Sequence, residues 1–305
     1  MKTTIDYMSE YSIKDLENLS GIKAHTIRIW EQRYGIIQPK RTSTNIRYYS
    51  SNDLKKILKI ARLREIGIKI SKIASMTKDE INQRIGSLDD QENNDITNYI
   101  HFLTTAMVDL DEDLFERTLS TCILQLGLET TMYRIIHPFL IKIGTLWQTE
   151  AINPAQEHFI SCLLRQKLIV AIDGQKVRSG SQSKKFLLYL PEGELHELTL
   201  LFSCYLLRKY GQQVIYLGQN LPFEDIRIAY RVYNPDFLLS ICTNFPTKDQ
   251  MQTYVKKLSA SFPKATILIS GFAVVNGALS APANVKILHE LQDLRTLVPV
   301  PAQPK

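Results

Sequence analysis

Apolar residues recur at helical spacing through the first half of the chain and alternate between strand-like and helix-like patterns in the rest. Ile13, Leu16 and Leu19 make one apolar face, which Ser20-Gly21 ends because glycine accepts the backbone angles of a turn. Ile22, Ile27, Trp30 and Tyr34 make a second, interleaved with Lys23, His25, Thr26, Arg28 and Arg33. Helix, glycine turn and a second helix with a polar outer face form a helix-turn-helix, whose second helix enters the major groove of DNA. Pro39-Lys40-Arg41 and the run Asn45 to Tyr49 predict a β-hairpin wing that carries basic and aromatic groups to the phosphates. Leu54, Ile57, Leu58 and Ala61 predict a helix over Asp53 to Leu63, capped by Ser51 or Asn52 and ended by Gly67. Ile70 to Met76 adds a last short helix and closes a domain spanning residues 1–76.

Residues 77–95 are polar and acidic and predict a linker. Residues 96–172 are helical throughout and predict a four-helix bundle. One stripe is Ile100, Leu103, Met107 and Leu110; another is Phe115, Leu119, Ile123 and Leu126; Tyr133 to Leu146 and Pro154 to Ile172 supply two more helices. Residues 173–185 form a second linker, basic and rich in serine and glycine. From 186 to 296, strands at Phe186–Leu190, Gln213–Leu217, Phe237–Cys242, Thr266–Ser270 and Val285–Leu288 alternate with helices. That order predicts an α/β doubly wound parallel sheet of Rossmann or flavodoxin type, with ligands at the carboxyl ends of its strands. A proline-rich tail, 297–305, follows.

Charge sharpens this division. The chain of 305 residues has 37 Lys and Arg against 31 Asp and Glu, a net charge of +6. Residues 1–76 alone carry +8 and the remainder −2, which suits a nucleic-acid anchor joined to a separate sensor. No apolar run reaches the ~20 residues of a membrane span, and the polar start Met1 to Glu10 is not a signal peptide. The expected location is the cytoplasm. Cys122, Cys162, Cys204 and Cys242 lie far apart in apolar settings and predict buried free thiols.

Three runs, Tyr11-Ser12-Ile13, Thr26 to Gly35 (TIRIWEQRYG) and Asn45-Ile46-Arg47-Tyr48-Tyr49, resemble the DNA-binding domain of MerR-family transcription regulators. The family's docking implies that Lys23, His25, Thr26 and Arg28 face base edges. It places Arg33, Lys40, Arg41, Arg47, Tyr48 and Tyr49 on the phosphate backbone. The long dimerising coiled coil of the simplest members has no counterpart in the heptad pattern here.

Trp147 followed after nine residues by Glu157-His158 reads by itself as an interfacial tryptophan and a helix-start pair. Its spacing resembles the W-x9-EH signature of the helical cobalamin-capping domain in light-responsive MerR regulators. That resemblance implies that Trp147, Glu157 and His158 lie over the upper face of adenosylcobalamin. In the loop after the first strand of the sheet, Glu194-Leu195-His196 resembles the cobalamin pattern [DE]-x-H-x-x-G. The residues alone leave His196 a metal ligand, a catalytic base or a loop histidine. The resemblance makes it the lower cobalt ligand, oriented by Glu194, with Ser240, Ser270 and Gly271 beside the nucleotide tail. Three positions depart from the pattern: Thr199 and Ser270 replace glycines, and Gln148 stands where the photoreceptors' upper-ligand histidine is aligned.

Two readings follow. In one, adenosylcobalamin lies between His196 and Trp147, Glu157 and His158, and its state governs self-association and DNA affinity. In the other, the same regulator carries a degenerate, cobalamin-independent module. A corrinoid methyl-transfer protein is the less favoured alternative, because it leaves the basic helix-turn-helix without a role. No nucleophile–base pair or phosphate loop occurs, and Asp111, Glu112 and Asp113 suit a helix start. The expectation is a non-enzymatic repressor that binds a double-stranded operator as a dimer or tetramer and involves no membrane.

Overall fold

The computed structural model describes residues 11–42, 44–81, 84, 96–148, 152–175, 183–275 and 279–297. The chain divides into two compact units, 1–160 and 161–305.

In the first unit, α1 (Ile13–Ser20) opens with a capping box in which Ser12 and Asp15 satisfy each other's amides. It ends at Gly21, whose φ of 73° releases the chain into the turn before α2 (Ala24–Tyr34). Strands β1 (Lys40–Arg41) and β2 (Arg47–Tyr48) pair antiparallel as the expected wing. Helix α3 (Ser51–Glu65) follows, and its cap is Ser50 rather than Ser51 or Asn52, because Ser50 and Asp53 complete the capping box. Helix α4 (Ile70–Ala74) comes next. The expected linker then begins in structured form. Thr77 and Glu80 cap each other, residues 78–81 are helical and Ile81 is buried. The rest of that linker, apart from Arg84, lies outside the described residues.

The helical module contains α5 (Ile96–Asp109), α6 (Glu112–Leu126) and a third rod in three pieces. These are α7 (Leu128–Thr131), a π-helical turn at Met132–Ile136, and α8 (His137–Gln148). That rod starts at Leu128, earlier than the apolar stripe suggested, because Gly127 at φ 76° ends α6 and redirects the chain at once. Helix α9 (Pro154–Asp173) completes the set, and the boundary between the units falls within it. Phe115 packs in the centre with ring centroids 6.3 Å from Phe139 and 6.4 Å from Phe159. Asp111 caps α6, with Glu112 and Asp113 in its first turn, so these carboxylates serve the helix end. The helix-turn-helix packs on the helical module. Lys55 of α3 pairs with Asp109 at 2.9 Å, and Lys142 of α8 donates to the Leu19 carbonyl at 2.7 Å.

The second unit alternates β3 (Lys185–Tyr189), α10 (Leu198–Lys209), β4 (Gln213–Tyr216), α11 (Phe223–Tyr233), β5 (Phe237–Ile241) and α12 (Lys248–Ser261). It continues with β6 (Thr266–Ser270), α13 (Phe272–Val275), β7 (Val285–Ile287) and α14 (Asp293–Leu297). All five strands are parallel, in the order β4-β3-β5-β6-β7. Leu187, Tyr189, Leu238, Ile267 and Ile269 pack against Ile226, Met251, Val255 and Leu258 on one face. Phe186, Leu188, Leu239, Ile241 and Leu268 pack against Leu200, Cys204, Leu207 and Leu294 on the other. Burial on both faces explains the continuous apolar strands. The strand order reverses between β3 and β5, and ligands of such sheets bind in the crevice outside that point.

Cys122, Cys204 and Cys242 are buried as expected, but Cys162 is exposed on α9. Burial pushes the Cys122 and Cys242 thiols up to about 12 and that of Cys204 to about 11, so all three stay protonated at neutral pH. Among the described residues, no helix is long and apolar enough to cross a membrane.

Candidate functional site

Helix α2 buries Ile27 and Trp30 and turns His25, Arg28, Ile29, Gln32 and Arg33 outward as one stripe. Lys23, at its N-cap, is exposed and pairs with Glu17 at 3.4 Å. Thr26 is half-buried, with its hydroxyl 3.3 Å from the His25 ring. Lys40 and Arg41 are exposed on β1, and Arg41 braces the hairpin by donating to Asn45 Oδ1 at 2.6 Å. Arg47 and Tyr48 are half-buried on β2.

Tyr49 is different. It is 0% exposed, its backbone pairs with Tyr11, and its hydroxyl donates to Glu31 Oε2 at 3.1 Å. It therefore belongs to the core and does not reach a phosphate, which corrects the expectation for this residue. Burial, reinforced by the Glu31 carboxylate, pushes its phenol up to about 12. Arg47 Nη2 approaches the other Glu31 oxygen at 3.9 Å. Glu31 thus fastens the wing to α2, a role sequence reasoning did not assign. Sequence reasoning also passed over Ile29 and Gln32, although both repeat at helical spacing from His25.

In the second unit, the loops after β3 and β5 meet at the point where strand order reverses, and Glu194 holds them together. Its Oε1 accepts from the Leu195 amide at 3.0 Å, the His196 amide at 3.0 Å and His196 Nδ1 at 2.6 Å. Its Oε2 accepts from the amides of Thr243 at 2.8 Å, Asn244 at 2.7 Å and Phe245 at 3.1 Å. The Glu194 side chain is 1% exposed while that of His196 is 53% exposed. Burial alone would raise the Glu194 pKa, but the bonds from His196, Asn244 and Phe245 outweigh it and hold the carboxyl at about 2. The ionised carboxylate can only accept, so Nδ1 carries a proton, and in the neutral imidazole Nε2 is the acceptor nitrogen. Glu197 fixes the far end of the loop, accepting from Arg165 Nε at 2.5 Å and from the Tyr216 hydroxyl at 2.9 Å. Neither Glu197 nor these partners stood out in the sequence, because their pairing joins residues far apart in the chain.

Ser240 is buried on β5, its hydroxyl 4.0 Å from Cys242 Sγ. Ser270 is buried and donates to the Leu288 carbonyl at 2.9 Å. Gly271, at φ 106°, has no room for a side chain, since a Cβ there would lie 2.4 Å from the Cys242 carbonyl oxygen. Its glycine is thus required by the chain itself. Thr199 is exposed on α10. In the first unit, Trp147 lies in the last turn of α8, its side chain outside the described set; Glu157 is half-buried and His158 exposed in the first turns of α9. Asn153 and Gln156 cap that helix, and Gln156 also donates to the Val108 carbonyl at 3.1 Å.

Residues 11–80 match the family model for MerR HTH family regulatory proteins, and residues 99–171 match that of a B12 binding domain. The chain thus carries a segment similar to MerR-type helix-turn-helix regulators and a second one similar to B12 binding domains. It is 28% identical to the HTH-type transcriptional repressor CarH of Myxococcus xanthus over 235 residues, covering 75% of this chain and 77% of that one. It is 26% identical to the repressor CarA of the same organism over 282 residues, covering 92% and 90%. Both of these relatives are named as transcriptional repressors. A monomethylamine corrinoid protein of Methanosarcina barkeri aligns with a TM-score of 0.50 at 11% identity, covering 63% of this chain and 92% of that one, a likeness of fold.

The Glu194–His196 pair fits a cobalt ligand and its positioning partner. A histidine whose Nδ1 is held by a buried carboxylate presents a basic Nε2, the arrangement found at metal-bound histidines. Leu195 and Phe245 are exposed in the loops following β3 and β5, and Phe272 is exposed at the start of α13 after β6, at the sheet's carboxyl edge. Their apolar surface suits a large flat ligand better than a small polar one.

Proposed function

We propose that the chain is a cytoplasmic transcriptional repressor that binds a two-half-site operator as a dimer or tetramer and responds to cobalamin. The observation that carries the sensor half of this reading is the Glu194–His196 pair at the sheet's carboxyl edge. Cobalamin would supply a cobalt centre whose ligation depends on its chemical state. His196 would hold it from below through Nε2, Glu194 would orient the ring, and Trp147, Glu157 and His158 would be the helical module's contacts. The DNA half rests on the exposed stripe of α2, which includes Arg33, and on the cations of the wing, Lys40, Arg41 and Arg47, with Tyr48.

The test is an absorbance spectrum of the full chain after dark incubation with adenosylcobalamin and desalting, beside His196→Ala. Gel filtration and operator binding are measured before and after illumination. Retained cobalamin with a His196-dependent spectrum supports the sensor reading. A light-dependent change of size would extend it to photoreception despite Gln148. A colourless protein that still binds DNA favours the second reading, a cobalamin-independent regulator. The Ser270 hydroxyl, buried on the Leu288 carbonyl where the pattern has glycine, is the feature that supports that alternative.

A further inference from the structure

Four of the five residues on the outward stripe of α2, His25, Arg28, Gln32 and Arg33, carry hydrogen-bonding or charged groups. The fifth is Ile29, 50% exposed, one turn after His25 and one turn before Arg33. The buried side of the helix is made by Ile27 and Trp30, so packing within the domain does not account for an isoleucine in the middle of the polar side. Ile29 has no donor or acceptor and cannot bind a phosphate or pair with a polar base edge. In the major groove, the base-edge group that matches it is the 5-methyl of thymine. Isoleucine is also stiff in a helix, where one χ1 rotamer dominates, so it presents its methyl groups at a fixed place with little entropy left to lose.

We propose that Ile29 is a base-reading residue that selects a thymine through its methyl group, beside the base pair reached by Arg28. This rests on the reading of α2 as the groove-entering helix. It adds an apolar determinant to a surface otherwise built from hydrogen-bonding groups. Truncating Ile29 should therefore change which sequence is chosen more than how strongly DNA in general is held.

The test is selection of binding sites from a randomised duplex pool by the full chain and by Ile29→Ala. Val232→Ala, an exposed aliphatic truncation in the second unit, serves as control. A thymine enriched by the parent chain and by Val232→Ala should become degenerate with Ile29→Ala, while guanine positions persist. On the best parent site, replacing that thymine by uracil removes only the methyl group. This should weaken the parent about fourfold, the worth of one methyl withdrawn from water, and leave Ile29→Ala unchanged. If Ile29→Ala selects the same sites and responds to uracil as the parent does, Ile29 reads no base and the inference falls. If the parent binds the pool without selecting any sequence, the placement of α2 in the groove falls with it. Selection that persists but is altered by Arg28→Ala and not by Ile29→Ala would keep the placement and overturn the inference alone.

Discussion

Replacing Glu194 by glutamine keeps the size of the side chain and removes one acceptor. In the parent, each carboxylate oxygen receives three N–H groups: Leu195, His196 and the His196 ring on one, and Thr243, Asn244 and Phe245 on the other. Whichever way the new amide turns, its NH2 faces three donors. Three bonds to a charged acceptor are lost together, each worth roughly 1.5–3 kcal/mol, at a side chain that is itself buried. Relaxation of the loops recovers part of this, so Glu194→Gln should destabilise the second unit by about 4 kcal/mol. Guanidinium unfolding followed by circular dichroism measures the loss. A second readout is specific to the ring. Nitrogen-15 shifts should report the Nδ1–H tautomer of His196 in the parent and a mixture in the variant. A loss below about 1 kcal/mol, comparable to that of an ordinary surface change, would show that the carboxylate does not tie the two loops together.

Arg28→Ala should cost about 1–3 kcal/mol on the preferred site and relax selection there, read by competition binding. Arg41→Ala should instead weaken all duplexes alike and lower the salt slope of binding by about 1, read from a titration series in salt. Tyr49→Phe removes the bond to Glu31 and should cost about 1 kcal/mol at neutral pH. The Tyr49 phenol has a folded pKa of about 12 against 10.0 for the free group, so the folded form holds the proton more tightly. Its stabilisation is complete below pH 10 and is lost as pH rises towards 12, and the stability–pH curve of Tyr49→Phe should lack that part of the slope.

The helix-turn-helix and the alternating sheet were legible because they rest on local patterns. Ser20-Gly21 between two periodic runs allows few alternatives, and strands buried on both faces show as unbroken apolar blocks. The wing was legible too, except at Tyr49. Its aromatic ring looked like a groove-rim contact, and only the pairing with Tyr11 and Glu31 shows that it faces inward. The cap of α3 was misplaced because Ser50, Ser51 and Asn52 are all good caps, and the position of Asp53 decides among them. At the ligand site, the pairing of Glu194 with His196 was readable from their spacing. The three amides from the β5 loop were not, since backbone donors leave no mark in a sequence. Glu197, Arg165 and Tyr216 escaped for a related reason: each is ordinary alone, and only the fold brings them together.

The contacts of Lys55 with Asp109 and of Lys142 with the Leu19 carbonyl bear on where this protein can be cut. By pattern, residue 76 ends a module. Physically, that module borrows part of its foundation from helices that come later in the chain. Leu19 sits at the foot of the turn that aims α2, and the amine that satisfies its carbonyl comes from α8, the helix that also carries Trp147. A fragment ending at residue 76 would retain every residue assigned to DNA and lose the footing beneath them. Its affinity would describe a loosened tool, and truncation would remove both the sensor and part of the seat of the recognition helix.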